Sequence, residues 1–330
     1  MTADRDDRAP AGFDARATYG TAARDYADAA RDFWAVAGRR TVERLGPLRG
    51  LSVLDVACGT GAATMPAAEA VGPSGRVLGV DYAEPMLDMA RDEAAARGLA
   101  QVELRVADMT RLDTGGERFD VVICALGVFF ADDMAALVRR LRGLVRPGGR
   151  LAVTVLGPGF FAPMLDSFRR SVRAVRPDIE VRPPWTRTDD PETMRTLLRE
   201  AGSPDADVTL ERGTRPLASP EDWWRCVMGS ALRSYVEEIG PAAAEQVRRL
   251  DLAHCAPRGC ARSASTPSTR SPASPPERRA GVTRAAARTP GRPAATRRPG
   301  RAAPAAPTTR ARRAPTPARP GRDGSGRCGR

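Results

Sequence analysis

Residues 53–64 read VLDVACGTGAAT and give the strongest indication of the architecture. A short apolar run leads into a Cys-Gly-Thr-Gly turn, and an alanine-rich segment of helical character follows. Gly59 and Gly61 carry no side chain, so the turn can bring its backbone N–H groups against a ligand. Asp55 adds a carboxylate where a nicotinamide-binding loop usually has an apolar residue. The stretch therefore indicates a ligand with a positively charged end.

Strand-like and helix-like segments alternate through the region around this turn. The five apolar runs are residues 51–57, 76–81, 102–107, 119–126 and 151–156. Segments with the periodicity of helices separate them, which is typical of βαβ units and a parallel sheet. We predict an α/β fold with a Rossmann-like, doubly wound, mostly parallel sheet. Ligands of such sheets bind at the carboxyl ends of the strands, where the glycine turn lies.

The flanking regions are predicted to be mainly helical. Residues 18–45 have helical spacing of their aromatic and apolar side chains, and residues 220–240 have the same pattern. Residues 207–211 are a candidate sixth strand, and a helix is expected over residues 241–252. The substrate side of the domain is therefore predicted to consist of residues 18–46 and 158–255, around a cofactor core of about residues 50–157.

The positive charge of the chain is concentrated in its last segment. The 330 residues carry a formal net charge of +12, and all 52 basic residues are arginines. Residues 256–330 hold 18 of these arginines against two acids, a net charge of +16, whereas residues 1–255 carry −4. Val282 is the only large apolar residue of the segment, which cannot bury enough surface to fold. We predict a disordered tail over residues 256–330 and a flexible N-terminus over residues 1–17.

Several absences limit the chemistry. Without lysine there is no P-loop lysine and no Schiff-base lysine, and with His254 as the only histidine a Ser-His-Asp triad is not expected. His254, Cys255 and Cys260 fall at the junction between the domain and the predicted tail, so no metal site is predicted. The six cysteines show no paired spacing, and no signal peptide or membrane span is visible. We expect a cytoplasmic protein.

Two further carboxylates follow later strands. Asp81 lies 20 residues beyond Gly61 at the end of the second strand, where it suits the two hydroxyls of a ribose. NAD-dependent oxidoreductases share this feature and remain an alternative. Thr64 stands where the dinucleotide pattern has its third glycine, which disfavours them. Asp108 follows the third strand and is placed to accept a hydrogen bond from an adenine amino group.

The motifs VLDVACGTG, VDYAEPML, VADM and LVRPGGRL, in this order and spacing, resemble those of class I S-adenosylmethionine-dependent methyltransferases. The similarity is greatest to the small-molecule enzymes of the ubiquinone- and menaquinone-biosynthesis-like group, and it covers about residues 18–255. It implies S-adenosyl-L-methionine as cosubstrate and a small-molecule methyl acceptor. The implied reaction is an in-line displacement that depends mainly on proximity and orientation.

The resemblance also implies which residues bind the cofactor. Those around the methionine moiety would be Asp55, Ala57, Gly59, Gly61 and Ala125. Those around the adenosine would be Asp81 at the ribose, Tyr82 and Met86 packed on adenine, Asp108 at the amino group, and the Met109 N–H at a ring nitrogen. Tyr26, on the N-terminal helix, would close the cofactor in. No catalytic base is identified.

The aromatic residues allow two interpretations. They either line an apolar substrate pocket or form ordinary core, since aromatic residues at helical spacing are often buried for packing alone. The residues concerned are Phe129, Phe130, Phe160, Phe161, Trp185, Trp223 and Trp224.

The C-terminal segment departs from the pattern of the family, whose seventh strand is antiparallel and is expected near residues 260–272. No apolar alternation occurs there, so we predict that this strand is missing. A frameshift is one explanation, because one choice of codons gives a shifted frame with an alternating strand; the nucleotide sequence tests it. A basic arm that binds nucleic acid is the rival, although it lacks aromatic residues to stack on bases. A cofactor-binding fragment without full activity is a further alternative, and the oligomeric state is not predicted.

Overall fold

The computed structural model describes residues 14–22, 29–255 and 261–272. For residues 22, 29–32, 214–216 and 261–272 it describes the backbone only. The helices are α1 Ala15–Ala22, α2 Ala29–Arg44, α3 Thr64–Val71, α4 Glu84–Ala96, α5 Met134–Gly143, α6 Met164–Val175, α7 Pro191–Glu200, α8 Pro220–Met228, α9 Arg233–Ile239 and α10 Pro241–Cys255. Short 3₁₀ turns occupy Val128–Phe130 and Pro184–Arg187.

Seven strands form one sheet. They are β1 Ser52–Val56, β2 Arg76–Asp81, β3 Val102–Val106, β4 Phe119–Ala125, β5 Val145–Thr154, β6 Asp207–Pro216 and β7 Ala261–Pro272. Their order across the sheet is β3-β2-β1-β4-β5-β7-β6, with β1 to β5 parallel and β7 antiparallel to both neighbours. The order reverses between β1 and β4, and this is the switch point at which doubly wound sheets bind ligands.

The sheet is covered on both faces, which explains why its central strands are nearly continuous apolar runs. On β1, Val53 belongs to a core cluster with α3, whereas Leu54 and Val56 belong to the larger cluster on the opposite face. On β4, Val121 and Val122 divide between the same two clusters. The alternation fixes the register, because a shift by one residue would exchange the faces of all these side chains.

Side-chain caps fix the starts of several helices. The Asp133 carboxylate accepts a hydrogen bond from the Ala136 N–H at 2.7 Å and so caps the start of α5. Asp190 accepts from the Thr193 N–H at 3.0 Å in the same way. Ser219 forms a capping box at the start of α8. These caps satisfy backbone donors that a helix leaves without an intrahelical partner.

The element boundaries differ from the predictions in three places. The N-terminal helical pattern is divided into α1 and α2, with residues 23–28 outside the described part of the chain. The pattern over residues 220–240 is divided into α8 and α9 by a turn at Gly229. β5 begins at Val145, because the segment RPGGR continues the strand beside β4 with a register shift. Each boundary depends on partners that periodicity alone does not reveal.

The prediction that the last strand is missing is wrong: Ala261–Pro272 forms β7 between β5 and β6. Twelve residues of the segment predicted to be disordered are therefore part of the sheet. Every residue other than proline carries a backbone N–H and a carbonyl that can bond to the neighbouring strands, so apolar alternation is not required for pairing. Residues 256–260 and 273–330 lie outside the described residues, and the frameshift and the disorder of the remaining tail stay predictions.

None of the helices among the described residues is both long and apolar enough to cross a bilayer.

Candidate functional site

A cavity lies at the carboxyl ends of β1, β2 and β4. The turn after β1 contributes Ala57, Cys58, Gly59, Thr60 and Ala62 to its lining. The ends of β2 and β4 contribute Asp81, Tyr82, Ala125, Leu126 and Gly127, and the segments behind them contribute Met86, Phe129 and Phe130. Residues distant in sequence complete it: Tyr19, Trp34, Leu156 and Trp185. The cavity is at the switch point, as predicted for a doubly wound sheet.

Asp81 is held in place by the backbone of the cavity. One carboxylate oxygen accepts a hydrogen bond from the Gly59 N–H at 2.9 Å, and the other accepts from the Ala83 N–H at 2.9 Å. Burial raises the pKa of the Asp81 carboxyl, and these N–H donors act in the opposite direction. Each oxygen keeps lone pairs for another donor, so the side chain can still bind a diol.

Asp55 lies behind the glycine turn and does not line the cavity. Its Oδ2 accepts a hydrogen bond from the Thr64 hydroxyl at 2.6 Å, whereas Oδ1 is buried without a hydrogen-bond partner among the described residues. Burial raises the pKa of Asp55 to about 7, against the opposing effect of Thr64. A buried oxygen without a donor fits a site that is completed by a positively charged ligand group.

The two turns that meet at the cavity have unusual backbone conformations. Ala57 and Leu126 both have positive φ, 56° and 62°, which is uncommon for residues with a side chain. Gly127 lies against the first of these turns, and a Cβ on Gly127 would be 2.6 Å from the Ala57 Cβ. Backbone strain of this kind concentrates at binding sites, where the surrounding structure maintains it.

Several aromatic side chains line the cavity or pack directly behind its lining. The Tyr19 and Phe130 rings meet edge to face with centroids 5.4 Å apart. Trp34 stacks against Phe160 at 6.2 Å, and Phe160 meets Trp185 at 6.1 Å. Of the seven aromatic residues with two interpretations, Phe129, Phe130 and Trp185 line the cavity, whereas Phe160, Phe161, Trp223 and Trp224 pack in the core.

The close approach of α2 to the turn after β1 positions Trp34. A Cβ on Gly38 would lie 2.1 Å from the Ala62 carbonyl oxygen, so only glycine allows this contact. Trp34 is one helical turn before Gly38 and therefore lies on the same helix face. Its indole Nε1–H is buried and has no hydrogen-bond partner among the described residues.

The ionisable groups of the cavity are poor bases at neutral pH. Burial raises the pKa of the Tyr19 and Tyr82 hydroxyls, and the Asp81 carboxylate raises both further. The pKa of the Cys58 thiol is raised well above its usual value, again mainly by burial. The Asp81 carboxylate accepts two backbone hydrogen bonds, and its remaining lone pairs are predicted to bind the ribose hydroxyls. The described residues of the cavity can thus bind and orient a ligand, but apart from Asp81 they offer no evident proton acceptor.

Six of the predicted cofactor-binding residues meet at the cavity: Ala57, Gly59, Asp81, Tyr82, Met86 and Ala125. Gly61 and Asp55 lie in or beneath the same turn. Asp108 and Met109 do not line the cavity, and one Asp108 oxygen accepts hydrogen bonds from the Thr110 N–H at 2.8 Å and hydroxyl at 2.7 Å. Tyr26 lies outside the described residues. The binding role of all these residues stays a prediction.

Eight lining residues were not among those predicted for the site: Tyr19, Trp34, Cys58, Thr60, Ala62, Leu126, Gly127 and Leu156. Tyr19 reaches the cavity from α1, and in the sequence it belongs to the same helical pattern as Tyr26. Trp34, Leu156 and Gly127 carry no local motif that marks them. The glycine directly after an apolar strand was the only available signal for Gly127, since isolated glycines near strand ends often mark close backbone approaches.

Comparison with known proteins agrees with this geometry. The pattern of a methyltransferase-domain family matches residues 53–149. Nocamycin O-methyltransferase of Saccharothrix syringae is 33% identical over 242 residues, which cover 68% of this chain and 86% of that protein. Aklanonic acid methyltransferase of Streptomyces sp. (strain C5) is 39% identical over 123 residues, 37% of this chain and 56% of that protein. Demethylmenaquinone methyltransferase of Lactococcus lactis is 34% identical over 120 residues, 36% of this chain and 46% of that protein.

The fold and its cavity are those of a cofactor-dependent group-transfer enzyme of the doubly wound class. The chain belongs to the class I S-adenosylmethionine-dependent methyltransferases. The predictions of this family and of its sheet are confirmed, and the oxidoreductase alternative is wrong. The alternative of a fragment that lacks its last strand loses its premise, because β7 is in the sheet.

Metal ligands are not grouped in the described part of the chain, where no three His, Cys, Asp or Glu residues come together. His254 and Cys255 end α10, and Cys260 lies outside the described residues. The prediction of a reaction without a metal stays a prediction.

Proposed function

We propose that this enzyme methylates an acidic oxygen atom of a largely apolar small molecule. The observation that carries the proposal is that the cavity joins two kinds of wall. The residues predicted to bind the cofactor form one side, and Trp34, Phe129, Phe130, Leu156 and Trp185 form an apolar side. An acceptor with a broad apolar body buries that surface, while the reacting atom faces the glycine turn.

The protein groups predicted to bind the cofactor fit its parts. S-adenosylmethionine supplies, when bound, a methyl group on a positively charged sulfur. The buried Oδ1 of Asp55 lacks a donor among the described residues, and an ionised carboxylate at this place beneath the turn would attract the ammonium of a methionine moiety bound above it. Gly59 leaves open space where a Cβ would stand, and the Asp81 oxygens have lone pairs for the ribose hydroxyls. Tyr82 and Met86 would pack on the adenine.

Apart from Asp81, which is assigned to the ribose, the described lining residues offer no base, and this supports an acceptor that is already ionised. The two tyrosines and Cys58 have raised pKa values and stay protonated at neutral pH. A carboxylate or an acidic hydroxyl loses its proton in water, so it needs only to be held in line and shielded from solvent. The names of two of the three relatives agree, since one is an O-methyltransferase and the other is named for aklanonic acid.

The indole N–H of Trp34 is the proposed hydrogen-bond donor to the oxygen atom that receives the methyl group. Its buried Nε1–H has no hydrogen-bond partner in the described part of the chain, and the residue lines the apolar side of the cavity. A fixed N–H of this kind orients an oxygen anion without transferring a proton. Trp34→Phe is expected to raise KM for the acceptor several-fold and to leave the affinity for S-adenosylhomocysteine unchanged.

The proposed binding of the cofactor is tested by calorimetry and thermal unfolding with S-adenosylhomocysteine. Asp81→Asn is expected to weaken binding about 10- to 100-fold, because hydrogen bonds to a charged group contribute about 1.5–3 kcal/mol. Asp88→Asn is the matched control, since Asp88 is exposed on α4 and pairs with Arg91. Stabilisation by NAD in place of S-adenosylhomocysteine would overturn the proposal, as would equal binding by both variants.

The acceptor part is tested by transfer of a labelled methyl group from S-adenosylmethionine to matched compounds. The panel contains apolar carboxylic acids, acidic phenols, and the alcohols and amines of the same skeleton. Acids are expected to react, with a pH–rate profile that follows the pKa of each acceptor. Preferential transfer to amines, or one fixed profile for every acceptor, would rule out the mechanism without a protein base.

A further inference from the structure

The residues of the edge strand β3 have a charge pattern that would complement a second copy of the same strand. β3 is the end strand in the sheet order, and among the described residues only β2 pairs with it. Val106 at its end is 44% exposed, which is unusual for a large apolar side chain in this protein. An exposed strand edge presents backbone donors and acceptors that can pair with another chain.

Two hydrogen bonds show which residues of β3 face outward. The Gln101 carbonyl accepts from the Val77 N–H at 3.0 Å, and the Ala107 N–H donates to the Asp81 carbonyl at 2.8 Å. Both bonds join β3 to β2 from odd-numbered positions. Because the backbone groups of successive strand residues point to opposite sides, those of Leu104 and Val106 point away from β2.

The strand reads VELRV, with Leu104 at its centre. A valine stands at each end, and the two residues beside Leu104 have opposite charges. When a second copy is placed antiparallel about a twofold axis at Leu104, Glu103 stands opposite Arg105 of the partner subunit. Val102 then stands opposite Val106 of the partner subunit. We propose that two copies of this chain associate through antiparallel pairing of their β3 strands, which joins the two sheets.

The backbone and the charges agree on the same axis. The outward backbone groups make Leu104 and its counterpart a hydrogen-bonded pair, so Glu103 and Arg105 of the partner subunit form a non-hydrogen-bonded pair. Side chains are closest in pairs of that type, and opposite charges there attract. An axis one residue away would place Glu103 opposite Glu103, or Arg105 opposite Arg105. The register at Leu104 is therefore favoured over its neighbours.

The surroundings of the edge fit a second copy. Ala94, Leu99, Val102 and Leu104 line a trough between α4 and β3, beside the strand edge. A twofold axis brings the same trough of both subunits together, as in isologous interfaces. Arg105 is exposed and forms no ion pair with another described residue, so its charge is available to the partner. The Glu103 carboxylate lies 3.4 Å from the Arg76 guanidinium, which is closer to Glu117, at 2.6 Å.

The test is the oligomeric state of the full chain by sedimentation velocity between about 5 and 200 µM, a range suited to a small interface. The wild-type protein is expected to form dimers in this range. Glu103→Arg and Arg105→Glu each place like charges opposite one another and are expected to be monomeric alone. An equimolar mixture of the two variants restores both opposite-charge pairs and is expected to give the heterodimer.

Glu192→Arg and Arg195→Glu are the controls, because this ion pair on α7 has the same charges on another surface. They are expected to leave the dimer intact. Melting temperatures of all variants monitor folding. A monomer at every concentration would overturn the proposal, whether because a segment outside the described residues covers the edge or because the edge does not associate. Dimers of either β3 variant alone, or a mixture that stays monomeric, would overturn it equally.

Discussion

Gly127 lies against Ala57 so closely that a Cβ on Gly127 would be 2.6 Å from the Ala57 Cβ. The contact joins the turn after β4 to the turn after β1, across the switch point of the sheet. Ala57 itself has a φ of 56°, so neither turn has a relaxed alternative nearby. The separation of the two strand ends, and with it the width of the cavity beside the glycine turn, depends on the absence of one methyl group.

Gly127→Ala is therefore expected to destabilise the protein by about 1–3 kcal/mol, the usual cost of overpacking a rigid site. It should also weaken S-adenosylhomocysteine binding, because the added methyl group pushes the two turns apart. Gly143→Ala is the control, since a Cβ on this residue of α5 meets nothing within 4 Å. Urea unfolding and calorimetry measure both effects, and equal behaviour of the two variants would contradict the argument.

Gly38→Ala tests the approach of α2 to the cofactor turn. In an open helix this change stabilises by up to about 1 kcal/mol, because alanine has the higher helix propensity. Here the added Cβ would lie 2.1 Å from the Ala62 carbonyl oxygen, so we expect a loss of at least about 1 kcal/mol and a displaced Trp34. Gly20→Ala in α1 meets nothing within 4 Å and should be neutral or stabilising. Tryptophan fluorescence and thermal unfolding compare the variants; a stabilised Gly38→Ala protein would show that the contact is not tight.

Asp55 is expected to make stability depend on pH. Burial raises its pKa from 3.8 to about 7, so between these values the folded protein holds a proton that the unfolded chain releases. The contribution of Asp55 to the free energy of unfolding therefore falls as the pH rises from about 4 to 7, by up to about 4 kcal/mol, and is constant above that.

Asp55→Asn carries no such proton. The stability of this variant relative to the wild-type protein should rise across the same pH window, as measured by denaturant unfolding at each pH. Thr64→Val removes the hydroxyl that lowers the pKa of Asp55, so it should extend the window to higher pH. Parallel stability profiles of the wild-type and Asp55→Asn proteins would show that Asp55 is ionised throughout.

Truncation tests the role of β7. A chain that ends at residue 255 lacks this strand and leaves β5 and β6 without the partner that joins them. We expect a lower melting temperature and weaker binding of S-adenosylhomocysteine than for a chain that ends at residue 278, which keeps the strand. The chain of 278 residues is expected to match the full-length protein. If the two truncated chains melted alike, β7 would contribute nothing to the sheet.

Much of the cofactor side could be predicted from the sequence. Gly59 belongs to the glycine turn after β1, and Asp81 is the last residue of β2. Each is identified by a pattern within its own strand and turn. The same patterns placed Asp55 at the ligand, whereas the structure places it beneath the turn with Thr64. The direction of a side chain at a strand end depends on which face the strand presents, and the neighbouring strands decide that.

The substrate side could not be predicted in the same way. Trp34, Leu156 and Trp185 come from α2, the segment after β5 and a 3₁₀ turn, and no spacing in the sequence connects them. Aromatic residues at helical spacing are equally suited to core and to cavity. Only the packing of α2 on Ala62 shows that Trp34 reaches the cavity while Phe160 remains behind it.

The sequence by itself determined the parallel sheet, its glycine turn and the family, because these depend on patterns within single strands and turns. The tertiary structure decided that residues 261–272 join the sheet, that Gly127 meets Ala57, and which aromatic residues line the cavity. Such contacts join residues far apart in the chain, and their formation depends on backbone pairing and close packing. Neither property leaves a local pattern in the order of the amino acids.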